Sequence, residues 1–220
     1  MSDPVIRNVL SVLRYCPPPP PTKVIAWAAL PLLYFFLPAD GMSFDDYHVS
    51  RLVAAVVLHL PFLLVVSLVN LLRHKGQRDR LVMASIVILS LLIAVNIDAI
   101  LIVSNSATAA KHILSVLAGC LIAFHLWAFS FPDFLRDYYA WPWSGLPKGI
   151  GTAGVIRAFG HALVLLANEF LIPVLPDSVW VIAAALLPIV AILISDAVTV
   201  LVLYSMGLRP RGYKAPGSRA

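Results

Sequence analysis

Six apolar stretches separated by short polar segments run along the chain, at about 23–38, 51–72, 81–103, 109–131, 151–175 and 179–206. A helix needs about 20 predominantly apolar residues to cross the roughly 30 Å of bilayer hydrocarbon. The first stretch is short by that measure, and the sixth is long enough to tilt or to emerge. The pattern predicts an all-α fold: a polytopic transmembrane helix bundle of about six spans. Were 23–38 re-entrant, five spans would remain and the N-terminus would change sides.

Ahead of the first stretch, Val5, Ile6, Val9, Leu10, Val12 and Leu13 recur at near-helical spacing beside Arg7, Asn8, Ser11 and Arg14. This predicts a short amphipathic interfacial helix. The prolines at 17–21 cannot continue it, because proline lacks the amide donor and favours polyproline II, so they read as a stiff spacer. The sharper alternative is a ligand for a proline-recognition domain. Three segments result: a cytoplasmic interfacial helix and spacer over 1–22, a six-helix transmembrane domain over 23–206, and a basic cytoplasmic tail over 207–220.

Composition agrees with the pattern. Hydrophobic residues make up 60% of the 220 positions and charged residues 12%, about half the usual charged fraction of a soluble domain. Residues 1–15 lack both an apolar core of signal-peptide length and a small-residue cleavage site, so they read as part of the mature chain. The net charge of +5 is distributed unevenly. Arg7, Arg14, Lys23, Arg73, Lys75, Arg78, Arg80, Arg136, Lys148, Arg209, Arg211, Lys214 and Arg219 all fall on one side of a six-span arrangement. The other side holds Arg51 and Lys111 with Asp40, Asp45, Asp46 and Asp177. The positive-inside rule then places both termini in the cytoplasm, and the lack of a targeting signal points to a bacterial inner membrane. No basic run is interleaved with aromatics, so nucleic acid is not an expected partner. The expected partners are the lipid bilayer and other membrane subunits or further copies of the chain.

The connection 132–150 carries Tyr138, Tyr139, Trp141 and Trp143 among prolines and glycines. Such aromatics anchor a chain at headgroup depth, or form an interface for a partner subunit.

Candidate chemistry lies in the polar residues inside the spans. A charge near the bilayer centre costs about 2.5–3.5 kcal/mol on insertion scales, so Asp98, Glu169 and Asp196, with Arg157, His59 and His161, need partners, a cavity or a pathway. At about 1.5 Å per residue, both histidines fall near mid-membrane, Asp98 and Glu169 towards the outer boundary, and Arg157 and Asp196 towards the inner one. His125 also lies on the inner side. Arg157, His161 and Asn168 share one helix face, with Glu169 beside it, and His59 shares a face with Asn70. A column of carboxylates, imidazoles and an Arg with an Asp is a sensible proton or cation route. Equally, Arg157 and Asp196 neutralise each other between the fifth and sixth helices, and lone His and Asn residues bond neighbouring helices. His59 and His161, and the pairs Asp98-Ala99 and Asp196-Ala197, recur in order in the two halves, as an inverted repeat would have them.

Catalysis finds little support. There is no GxSxG, Walker or GxGxxG motif, no HxxxH or HExxH spacing, and Cys16 and Cys120 form no CxxC. The chain is not expected to be an enzyme, and no cofactor is expected; haem b between His59 and His161 is the alternative. Three functions follow in order: a proton-coupled transporter or channel for a small solute or ion; a non-catalytic membrane subunit or assembly factor of a larger complex; and a haem b electron-transfer subunit.

Overall fold

The computed structural model describes residues 10, 13, 14, 16, 21–44, 47–73, 80–129 and 147–207. Six helices account for most of them: α1 (Pro21–Phe36), α2 (Arg51–Arg73), α3 (Arg80–Ser104), α4 (Ala107–Phe129), α5 (Pro147–Leu171) and α6 (Asp177–Ser205). Most of the expected interfacial helix and proline spacer, all four aromatics of the connection (Tyr138, Tyr139, Trp141, Trp143) and the basic tail lie outside the described residues.

Among the described residues, three helices are long and apolar enough to cross a membrane: Ala107–Trp127, Gly151–Leu171 and Asp177–Ser205. Shorter apolar helical stretches run over Pro21–Phe36, Arg51–Val66 and Ser90–Ser104. The helix boundaries follow the apolar pattern closely except in the fifth helix, which begins at Pro147, four residues before the expected 151. The fifth helix ends at Leu171, short of the expected 175, because Pro173 has no N–H to extend the ladder and disfavours helix before it.

A second departure is a small antiparallel hairpin between α1 and α2, β1 (Met42–Phe44) with β2 (Tyr47–Val49), paired Met42 to Val49 and Phe44 to Tyr47. Gly41 opens it at φ +95°, and a Cβ there would run into the carbonyl oxygen of Val49, so only glycine fits. Asn105, just past α3 and itself left-handed at φ 42°, holds the strand from its other end. Its Oδ1 accepts from Ser50 N–H at 2.8 Å and its Nδ2 donates to the His48 carbonyl at 3.1 Å. Arg51 closes the α1 end of this corner: Nε and an Nη donate to the last-turn carbonyls of Tyr34 and Phe35, with the guanidinium 4.6 Å over the Tyr34 ring. Those carbonyls have no partner within α1, so the arginine satisfies them while complementing the helix dipole.

The chain forms two compact units. The larger combines Pro20–Leu117 with Val164–Ile189, and the smaller combines Met1–Pro19, Ala118–Leu163 and Val190–Ala220. In the larger, α1 buries Ala26, Leu30 and Tyr34, spaced four apart, as α1 packs on α2, whose Leu52, Val53, Ala54, Ala55 and Val56 are buried. The early part of α6 adds Trp180, Val181, Ala184 and Ala185 to that core. In the smaller unit the buried apolar residues are Ala118 of α4, Ala153 and Ala158 of α5, and Val200 and Leu203 of α6.

Candidate functional site

In the larger unit, α4, α5 and α6 are joined by one connected polar network. Asn168, fully buried in the last turn of α5, is its centre. Its Nδ2 donates to the Lys111 carbonyl at 3.0 Å and to Ser115 Oγ at 2.9 Å, both on α4, and its Oδ1 accepts from the Trp180 indole of α6 at 2.9 Å. Lys111 extends the network to the α5–α6 connection. Its Nζ donates to the Leu175 carbonyl and pairs with Asp177, each at 2.9 Å. Only 8% of the Lys111 side chain is exposed, so the charge is held by neighbours rather than by water.

Glu169 lies next to Asn168 and faces outward. Its Oε1 meets His112 Nδ1 at 2.9 Å, with the two side chains 41% and 45% exposed. Ser115, which accepts from Asn168, lies close to the Glu169 carboxylate and so sets this half-exposed pair beside the buried amide. The structure thus draws Lys111, His112, Ser115 and Trp180 into the group around Glu169. From the sequence Lys111 stands out only as a topological charge, and His112, Ser115 and Trp180 do not stand out at all.

His59 stands apart from that network. It is 4% exposed on α2, with Nε2 donating to the Ala26 carbonyl of α1 at 2.8 Å and its ring 6.1 Å from that of Trp27. The carbonyl can only accept, so the proton is on Nε2. Beside the ring is a cleft of about 20 Å³, lined by Trp27, Leu60, Ile113, Leu117 and Ala184 among others. That is room for about one water molecule. Asp98 of α3 is half-buried, and its Oδ1 is shut off from solvent with no hydrogen-bond partner among the described residues.

The smaller unit holds the remaining candidates. Arg157 of α5 pairs with Asp196 of α6 at 2.5 Å, and Asp196 is 7% exposed. One turn along α5, His161 stacks on His125 of α4, with centroids 5.3 Å apart and planes 11° from parallel. Burial and then the Asp196 charge push the Cys16 thiol up, with Arg157 opposing. Between Arg157 and His161 on α5, Gly160 faces Ser195, and a Cβ there would collide with Ser195 Oγ. Close approach of two helices at a glycine is a recurrent packing device in membranes. Gly160→Ala is therefore expected to make the Ser195 hydroxyl, the end of a side chain that can rotate, swing away at a net cost of at most about 1 kcal/mol once alanine's better helix propensity is counted, and Ser195→Ala in the same chain to remove that cost. Thermal unfolding of the two variants in detergent measures this.

Of the six residues expected to line a route, the structure joins Arg157 directly to Asp196. Asp98, His59 and Glu169 of the larger unit have separate surroundings, and His161 finds its ring partner in His125. The residues matched between the two halves make unlike contacts: His59 bonds a carbonyl where His161 stacks, and Asp98 has an orphan oxygen where Asp196 is ion-paired. No family model matches the chain, and no curated protein or solved structure does so significantly. Among the described residues, no three of His, Cys, Asp and Glu gather as a metal-binding group. For a haem, His59 would have to give up its Nε2 bond to Ala26.

Proposed function

We propose that this chain is a six-span protein of a bacterial inner membrane, with both termini cytoplasmic, and that it acts as a non-catalytic membrane subunit or assembly factor. One observation carries the reading: within each unit, polar side chains on the helices are mostly spent on neighbouring helices. Asn168 ties α5 to α4 and α6, Arg157 ties α5 to Asp196 of α6, and His59 ties α2 to α1. Among the described residues the cleft beside His59 has room for about one water, and a transporter would be expected to turn such groups towards a wetter cavity.

The orientation draws support from the two cations that depart from the positive-inside pattern. Arg51 is engaged by the carbonyls at the end of α1, and Lys111 by Asp177 and the Leu175 carbonyl. Their presence on the acidic side is accounted for by structure, which leaves the asymmetry of the other basic residues as the topological signal.

Transport of protons, or of a small solute coupled to them, is the second reading. The half-exposed Glu169–His112 pair favours it, because that pair lies beside Ser115, the partner of a buried side chain. The subunit reading predicts that native electrophoresis of gently solubilised source membranes places the chain in an assembly larger than its own dimer. Migration only as monomer or dimer would count against it. A visible absorption spectrum of the same material tests the haem alternative.

A further inference from the structure

Helix α3 is buried along one stripe. Ala94 and Leu101 are 7% and 2% exposed, and Ile97 and Asp98 between them are half-buried. On the opposite face Leu92, Asn96, Ala99 and Val103 form a second line, spaced four, three and four residues apart, and all four are exposed. Leu92 and Val103 expose 56% and 74% of their surface. The one polar side chain in that line is Asn96. Its Nδ2 donates back to the Leu92 carbonyl of its own helix at 2.7 Å, and among the described residues the rest of its carboxamide has no hydrogen bond.

We propose that this stripe is a homodimer seam, in which α3 of one copy packs in register against α3 of a second. The inference rests on the membrane reading. Counting back from Ser104 at 1.5 Å per residue puts Asn96 about 12 Å inside the end of the helix, within hydrocarbon. There no water satisfies the carboxamide, and helix association through such groups is a recognised outcome. A carboxamide carries both donor and acceptor, so two copies about an axis along the membrane normal set Asn96 against Asn96 and satisfy each other reciprocally. The four-three-four spacing belongs to left-handed helix pairs, whose facing residues share a register, and one polar position in such a seam fixes that register. Ala99, one turn on, is small enough for the backbones to approach.

Oxidative cross-linking in native membranes tests the proposal, on the full chain with Cys16 and Cys120 changed to Ser. Ala99→Cys should yield a disulfide-linked dimer about tenfold above Phe170→Cys, an exposed control on α5. Adding Asn96→Leu to the Ala99→Cys chain should lower that yield several-fold, because the reciprocal carboxamide bond between the helices is lost. Equal yields from Ala99→Cys and Phe170→Cys would overturn the seam, as would linkage of Ala99→Cys only to a different chain. An alkaline carbonate wash of the same membranes separates the two failures. Release of the chain would overturn the membrane reading and the seam together; retention without cross-linking would overturn the seam alone.

Discussion

Replacing Asn168 by leucine is expected to destabilise the protein by about 3 kcal/mol. Leucine keeps the branched shape at a larger volume and removes the acceptor for the Trp180 indole and the donor to Ser115 and the Lys111 carbonyl. The indole N–H would be left in a site where Trp180 is 1% exposed. Each buried polar group left without a partner costs about 1–3 kcal/mol, which outweighs the roughly 1 kcal/mol net value of a typical hydrogen bond. The pattern of loss is the diagnostic. Trp180→Phe should cost less on its own, and combining it with Asn168→Leu should cost less than the sum, because the two residues share a bond. Unfolding midpoints of the four proteins in detergent give that coupling directly; strict additivity would show that Asn168 is not the centre described here.

The second large effect belongs to the Arg157–Asp196 pair. Asp196→Ala should cost about 1–3 kcal/mol, because it takes the ion-pair partner from a guanidinium whose side chain is only 21% exposed, beside a carboxylate site that is 9% exposed. The double variant Arg157→Met with Asp196→Leu should recover most of the loss, since exchanging a buried pair for apolar residues of similar volume is often neutral or better. The recovery separates a structural tie from a conducting group. A residue that moves protons would leave the double variant stable and its function lost; a tie leaves both stability and function intact.

What was legible in the sequence depends on the range of the interaction involved. Helix extents follow the apolar runs because an apolar run is a local property; the fifth helix departs at both ends, starting at Pro147, a residue suited to a first helical turn, and stopping at Leu171, two residues before a proline. The hairpin at Met42–Val49 was not legible. Its strands are three residues each, and it is held by Asn105, which is more than fifty residues away. The Arg157–Asp196 pairing could be anticipated because two opposite charges on consecutive helices at similar depth have little alternative. His125 as the partner of His161 could not, because that depends on which face of α4 meets α5. Lys111 carried its signal openly as a lone cation on an acidic side, yet its partners, the Leu175 carbonyl and Asp177, are set by how the connection after α5 turns. The aromatics at 138–143 remain a sequence-level expectation of an anchor or an interface.

We propose that the polar residues within these helices tie neighbouring helices together and do not carry protons. Proton flux into liposomes containing the purified protein, driven by a pH gradient, addresses it most directly, with Glu169→Gln and His161→Ala alongside. The account predicts flux at the level of empty liposomes for all three proteins. Flux in the wild type that disappears in Glu169→Gln would contradict it and establish the Glu169–His112 pair as an entrance.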